Sequence, residues 1–280
     1  MSDDVLRNIF GVPIPVIGMV HSLPLPGSPR FGKRDLQAVY DFGVDEARRL
    51  KEGGVDGLLL ENAGDVPFVK EADLGFETAA CMTALGLLIR QATGLPLGII
   101  TVANAARASI AVAQACGASF VRVNQWANAY VANEGLIEGA AGRALRYRSW
   151  LGAEHVRVFA DVHVKHGSHA ITADRSIAEQ AIDAEFFDAD VLIATGTRTG
   201  SETTVEEVTQ VRARVATPVI VGSGVSLENC HELLTVADGA IIGSSVKDNN
   251  RMHGGHVDIT KVSALMDKVR ELRKSASHSS

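Results

Sequence analysis

Eight times along this chain a short, aliphatic-rich run is followed by a longer stretch of helical character, and few folds accommodate that alternation. The runs are Pro15–Val20, Val55–Leu60, Pro96–Ile100, Ala118–Val123, a fifth opening at Val156, Asp190–Ala194, Pro218–Val221 and Gly239–Ile242. Helices are predicted between and after them, near 35–52, 73–92, 103–115, 138–151, 174–187, 203–215, 226–235 and 259–274. Strands that alternate with helices form parallel βαβ units, and eight units in roughly 250 residues is the size of a closed (β/α)8 barrel. The predicted fold is therefore a single α/β domain, a (β/α)8 barrel spanning 1–280, with 1–12 and 275–280 peripheral or frayed. A doubly wound open sheet is the structural alternative.

Composition excludes several classes of function. A net charge of -6 and a pI near 5.8 give no footprint for nucleic acid. No run approaches the length of a membrane span, and no basic, then apolar, leader opens the chain, so the expected location is cytoplasmic. Cys81, Cys116 and Cys230 are far apart and lack metal-ligand spacing, which predicts buried, reduced thiols. A homo-oligomer is the expected assembly.

In a barrel, the active site is built at the carboxyl ends of the strands. Those positions hold His21, Glu61, Asn62, Asn104, Asn124, Asp161, His163, Lys165 and Thr195. The fifth strand stands out, because Asp161, His163 and Lys165 are spaced two apart and a continuing strand would put all three on one face. Gly222-Ser223-Gly224 and Gly243-Ser244-Ser245 follow the seventh and eighth strands, where barrels commonly grip phosphate with backbone N–H groups. Neither loop has the pattern of a dinucleotide fingerprint or a Walker loop.

Gly18-Met19-Val20-His21-Ser22-Leu23-Pro24-Leu25-Pro26-Gly27-Ser28-Pro29, Glu61-Asn62-Ala63-Gly64-Asp65-Val66-Pro67-Phe68, Ala160 to His166 and Val221 to Val225 resemble the signature blocks of the BtpA/SgcQ family. The resemblance runs from about residue 8 to 272 and implies a (β/α)8 barrel. Members are associated with photosystem I accumulation or with sugar catabolism, so the family implies no single reaction. Around the third strand the family reads like G-x-N-V-L-R-N, whereas this chain has Ile100 and Ala103 in place of the amide and the guanidinium.

Two classes of function follow. The first is an enzyme acting on a phosphorylated metabolite, a sugar phosphate or nucleotide-like compound, as lyase, isomerase or glycosidase. Here Gly222, Ser223, Gly224, Gly243, Ser244 and Ser245 hold the phosphate, Asp161 orients His163 as general acid/base, and Lys165 stabilises an oxyanion or forms a Schiff base. Glu61 is the second acid/base candidate, while His21, Asn62, Asn104, Asn124 and Thr195 bind substrate. No cofactor is required on this reading. A divalent metal held by Asp161, His163 and His169 or His21 is the variant reading, and FMN in the phosphate grip is another. His166 and His169, like His253 and His256, read as solvent-facing or lid residues. The second class is a non-catalytic assembly or stability factor of the photosystem I type, which calls for a large exposed apolar patch.

Overall fold

The computed structural model describes residues 4–196 and 203–277. Eight parallel strands close into a barrel, in the order β1 (Val16–His21), β2 (Gly57–Glu61), β3 (Leu97–Ile100), β4 (Phe120–Val123), β7 (Arg157–Val162), β8 (Val191–Ala194), β9 (Val219–Val221) and β10 (Ala240–Ile242). Between β4 and β7 lies an antiparallel hairpin, β5 (Ala129–Ala132) and β6 (Gly135–Glu138). The helices are α1 (Val5–Phe10), α2 (Leu36–Gly53), α3 (Phe76–Thr93), α4 (Ala106–Cys116), α5 (Ala141–Trp150), α6 (Ile177–Phe186), α7 (Val205–Arg212), α8 (Cys230–Leu234) and α9 (Ile259–Ser277). The predicted (β/α)8 barrel is thus the fold, and the open sheet is excluded by the β1–β10 pairing.

The barrel strands are buried on both faces, which is why they read as almost unbroken apolar runs. One face packs outward on the helices through residues such as Val20, Leu60, Val121 and Ala160. The other fills the barrel with Ile17, Leu59, Phe120, Phe159 and Ile220. At the amino-terminal end the same device recurs three times: the carboxylate of Asp56, Asp190 or Asp238 accepts from the backbone N–H of Val16, Val158 or Val219 on the adjacent strand. This end is built for stability, which leaves the opposite end for chemistry.

Residues 5–10 depart from the expectation of a peripheral N-terminus. They form α1, capped by Asp4, and Val5, Leu6 and Phe10 are buried with the residues that fill the barrel. Phe10 meets Phe120 edge-on at 5.8 Å, and Phe120 stacks on Phe159 at 4.3 Å. Space for these rings comes from glycine: a Cβ on Gly57 would lie 2.4 Å from the Phe10 ring, and one on Gly98 2.2 Å from the Phe120 ring. Within the described residues, the last helix runs on to Ser277, beyond the predicted 274.

Two further differences bear on the site. The fifth barrel strand ends at Val162, and His163 turns off it with a φ of 55°. The alternation of Asp161, His163 and Lys165 therefore breaks, since left-handed backbone re-aims the side chain. The helix predicted over 226–235 is only Cys230–Leu234, so the glycine loop before it meets a turn and not a helix N-terminus.

Candidate active site

At the carboxyl end the strand register brings β1 and β2 into line, with His21 opposite Glu61. His21 Nε2 lies 3.8 Å from Glu61 Oε2, and both side chains are largely shielded. Burial, reinforced by the positive charges of Lys247, His253, Arg122 and Lys165, lowers the His21 pKa to about 3. Its imidazole is neutral at physiological pH. Burial raises the Glu61 carboxyl above the ordinary range, partly offset by Arg122 and Lys165. A carboxyl moved upward in this way is better matched to proton transfer near neutral pH.

Two strands on from β2, Arg122 projects from β4 and forms a bidentate pair with Asp161: Nε to Oδ1 at 2.9 Å and an Nη to Oδ2 at 3.1 Å. Asn124 Nδ2 donates to the same Oδ2 at 3.0 Å. Both partners of the pair are buried, with side-chain exposures of 9% and 0%. The pairing corrects the expected Asp161–His163 relay, because the hydrogen bonds of Asp161 run to Arg122 and Asn124. His163 instead faces Gln180 through Nδ1 at 3.2 Å and stacks on His169 at 3.7 Å. His169 stacks in turn on Tyr130 of the hairpin at 5.3 Å, so the expected lid histidine belongs to a ring ladder on the rim. Burial, then the nearby His169, lowers the His163 pKa.

Lys165 stays with the mouth. Its ammonium donates to Ser223 Oγ, and its pKa is lowered by burial and by Arg122, against the pull of Asp161 and Glu61. Lys165, Arg122, Asp161 and Glu61 thus lie within electrostatic reach of one another. Gly222 belongs to the same cluster, because a Cβ there would come 2.3 Å from Ile193 and 3.4 Å from the Arg122 guanidinium. The two glycine loops are tied together by Ser245 Oγ, which donates to Val225 O at 2.6 Å. Gly243, Ser244 and Ser245 open a 3-10 turn over Ser244–Val246, and Gly224 takes a φ of 76° that glycine adopts without strain.

The asparagines divide. Asn62 is fully buried and its amide is committed to Asp65 Oδ2 at 3.0 Å and Val102 N at 2.9 Å. Asn104 holds the hairpin, donating to Gln125 O and Glu138 O at 3.1 Å each and accepting from Gln125 N at 2.8 Å. The hydrogen bonds of both amides, expected as substrate contacts, run to loops of the chain. Thr195 is buried and its hydroxyl approaches His163 O at 3.4 Å.

Nor do Asp161, His163 and a further histidine converge as metal ligands. Among the described residues the one such cluster is Asp45, Glu46 and His256, on the helical side. There Glu46 accepts from Val257 N at 3.2 Å, lies 3.0 Å from His256 Nδ1 and faces Lys247 at 3.8 Å, while Asp45 pairs with Arg49. His256 is therefore a solvent-facing partner of Glu46 and not a lid. Arg122 is the residue that sequence reasoning passed over. Its signal was present: a guanidinium inside an apolar strand, two residues before Asn124 on the inward face.

A model of the BtpA family matches residues 13–271. The chain belongs to the BtpA family. An Archaeoglobus fulgidus protein without assigned function is 41% identical over 251 residues, covering 90% of this chain and 96% of that protein. The Photosystem I biogenesis protein BtpA of Synechocystis sp. is 36% identical and covers 96% of this chain and 93% of its own length. A Caenorhabditis elegans relative, 36% identical over 92% of this chain and 94% of its own length, is described as mitochondrial. Among the described residues no helix is long and apolar enough to cross a membrane. Among solved structures, (S)-3-O-geranylgeranylglyceryl phosphate synthase from Thermoplasma acidophilum, in complex with sn-glycerol-1-phosphate, aligns with a TM-score of 0.58. It is 16% identical and the match covers 96% of this BtpA-family chain and 98% of the synthase. Tryptophan synthase from M. tuberculosis aligns at 0.60 with 17% identity, covering 96% and 98%. Such likenesses carry the barrel fold.

Proposed function

We propose that this BtpA-family protein is an enzyme acting on a phosphorylated small metabolite, with Glu61 and Lys165 as its proton-transfer and charge-stabilising groups. The observation that carries the reading is the convergence of Glu61, Arg122, Asp161 and Lys165 from β2, β4 and the end of β7 onto one barrel mouth. Nothing in the packing of a barrel calls for four ionisable groups there, since burying charge costs free energy that an apolar filling avoids. The solved structures of like fold include a synthase bound to a glycerol phosphate, which supports the choice of ligand class.

In this reading the backbone around Ser223 and Ser244 receives the phosphate. Glu61 takes or returns a proton, and the Lys165 ammonium answers the negative charge that develops on the substrate oxygen. Arg122 holds Asp161 in place and limits the rise of the Glu61 pKa. His21, neutral at pH 7, serves as a hydrogen-bonding group beside Glu61. This is the chemistry of an isomerase or lyase. A biogenesis role, as in the printed name of the Synechocystis relative, leaves the buried ionic cluster without a task.

The test is a thermal-shift screen of phosphorylated sugars, glycerol phosphates and nucleotides. A true ligand at about 100 times its Kd adds roughly 2.7 kcal/mol of stability, a rise on the order of 5 °C for a chain of this size. Lys165→Met should weaken that binding, and Glu61→Gln should keep it while abolishing turnover of the compound. A screen in which no phosphorylated compound stabilises the protein, or one in which both variants turn over the compound normally, overturns the reading.

A further inference from the structure

A cavity opens beside the end of β1, between the loop that leads to α2 and the loop that follows β10. Its volume is about 410 Å³. His21 and Ser22 line it, together with Arg30 and Arg34 from the first loop and Lys247 and His253 from the second. None of its lining residues is acidic. Two guanidinium groups and the Lys247 ammonium line one cleft, and like charges so placed repel unless counter-charge lies between them.

The polar contacts answer that repulsion at Lys247 but not at the two arginines. Lys247 is buried, donates to Met252 O at 3.0 Å and is balanced by Glu46 at 3.8 Å and by the nearby Asp248, which leaves Arg30 and Arg34 as the uncompensated charges. Arg34 donates to the carbonyls of Phe31 and Arg30, and these neutral acceptors do not cancel its charge. Among the described residues no carboxylate forms an ion pair with Arg30 or Arg34. Two buried atoms of the lining residues, His21 Nδ1 and Ser22 Oγ, have no hydrogen-bond partner. An unmet buried polar atom costs about 1–3 kcal/mol, so a ligand that reaches these two recovers free energy.

His21 joins this cleft to the proposed reaction centre. Its Nε2 lies 3.8 Å from Glu61, and a Cβ on Gly243 would sit 3.2 Å from its Cε1, so the ring stands between the cleft, the Glu61 carboxyl and the loop after β10. We propose that the cleft lined by Arg30, Arg34, Lys247, His253, His21 and Ser22 is a second anion subsite, which receives a phosphate or carboxylate at the far end of the substrate from the phosphate held around Ser223. The substrate is then doubly anionic, and its central atoms lie against Glu61. This inference rests on the proposed reading of the mouth as a phosphorylated-metabolite site, and it narrows the substrate class.

Inorganic phosphate is the probe, titrated calorimetrically into the full chain. Two phosphates per chain are expected. Arg30→Glu changes an exposed side chain and should weaken one binding event by about tenfold or more, the worth of a charge-assisted hydrogen bond, while sparing the other. Ser223→Asp should show the complementary loss. Arg34→Glu reads the same cleft independently, and melting curves without phosphate check that each variant is folded. If Arg30→Glu and Arg34→Glu leave every binding event unchanged, the subsite is refuted, while the loss of all phosphate binding in Ser223→Asp with those variants unaffected leaves the proposed function standing. Binding that Arg30→Glu removes and Ser223→Asp ignores supports the cleft and overturns the glycine-loop grip instead.

Discussion

Acidifying the native protein should destabilise it through His21, and replacing that residue should remove the effect. The imidazole is shielded in the barrel mouth, its Nδ1 has no partner, and its neighbours Lys247, His253, Arg122 and Lys165 disfavour a further positive charge. In the unfolded chain the group protonates near 6.5, whereas in the fold it waits until about 3. A depressed native pKa means that the unfolded state binds the proton first. The contribution to stability is therefore complete above 6.5 and is lost progressively as pH falls towards 3. At about 1.4 kcal/mol per pH unit, roughly 3 kcal/mol is gone by pH 4. His21→Asn carries its own packing penalty, but that penalty does not depend on pH. The quantity to measure is thus the slope: urea unfolding followed by circular dichroism at pH 7, 6, 5 and 4, for both proteins. The stability gap between them should narrow by roughly 3 kcal/mol across this range. Parallel curves would refute the argument, for they would mean that the native imidazole takes up its proton as readily as the unfolded one.

Substitutions at the Arg122–Asp161 pair and at Asn104 probe the polar framework. Arg122→Met strands the Asp161 carboxylate with Asn124 as its remaining donor and should cost about 3–5 kcal/mol in denaturant unfolding, whereas Arg122→Met combined with Asp161→Leu should recover most of that loss. A double variant as unstable as the sum of the single ones would show that the two side chains are not coupled. Asn104→Ala removes three hydrogen bonds at a φ of 56° and should cost about 3 kcal/mol, of which Asn104→Gly returns about 1 by relieving the left-handed backbone; chemical denaturation of the two variants gives the comparison.

The barrel was legible because each of its strands is buried on both sides and leaves a nearly pure aliphatic run. Fragments whose burial depends on partners distant in sequence were not. The hairpin Ala129–Glu138 has a mixed, half-exposed pattern and is held by Asn104, which lies more than twenty residues earlier. Helix α1 is six residues long, too short for a helical period to show, and is defined by the barrel floor it covers. In the mouth, Glu61 and Lys165 were visible as polar residues at strand ends. Spacing by twos failed at His163, because it assumes that the strand continues, and the turn at that residue leaves no mark in the alternation. Arg122 was passed over although it stands two residues before Asn124, because its long aliphatic stem sits in a strand as an apolar residue would while its guanidinium reaches Asp161 on the next strand.

The glycines under the aromatic floor have a consequence for how this barrel can change over generations. Gly57 faces the Phe10 ring and Gly98 the Phe120 ring, each at a distance that admits a hydrogen and nothing larger. Neither member of a pair can drift alone: a side chain gained on the strand demands a smaller ring above it, and a ring lost leaves a void that only a larger strand residue fills. Phe10 and Phe120 also touch, so the two exchanges are linked through one shared edge. Substitutions at positions 10, 57, 98 and 120 should therefore enter lineages as compensated sets, at a pace independent of whatever selection acts on the opposite mouth.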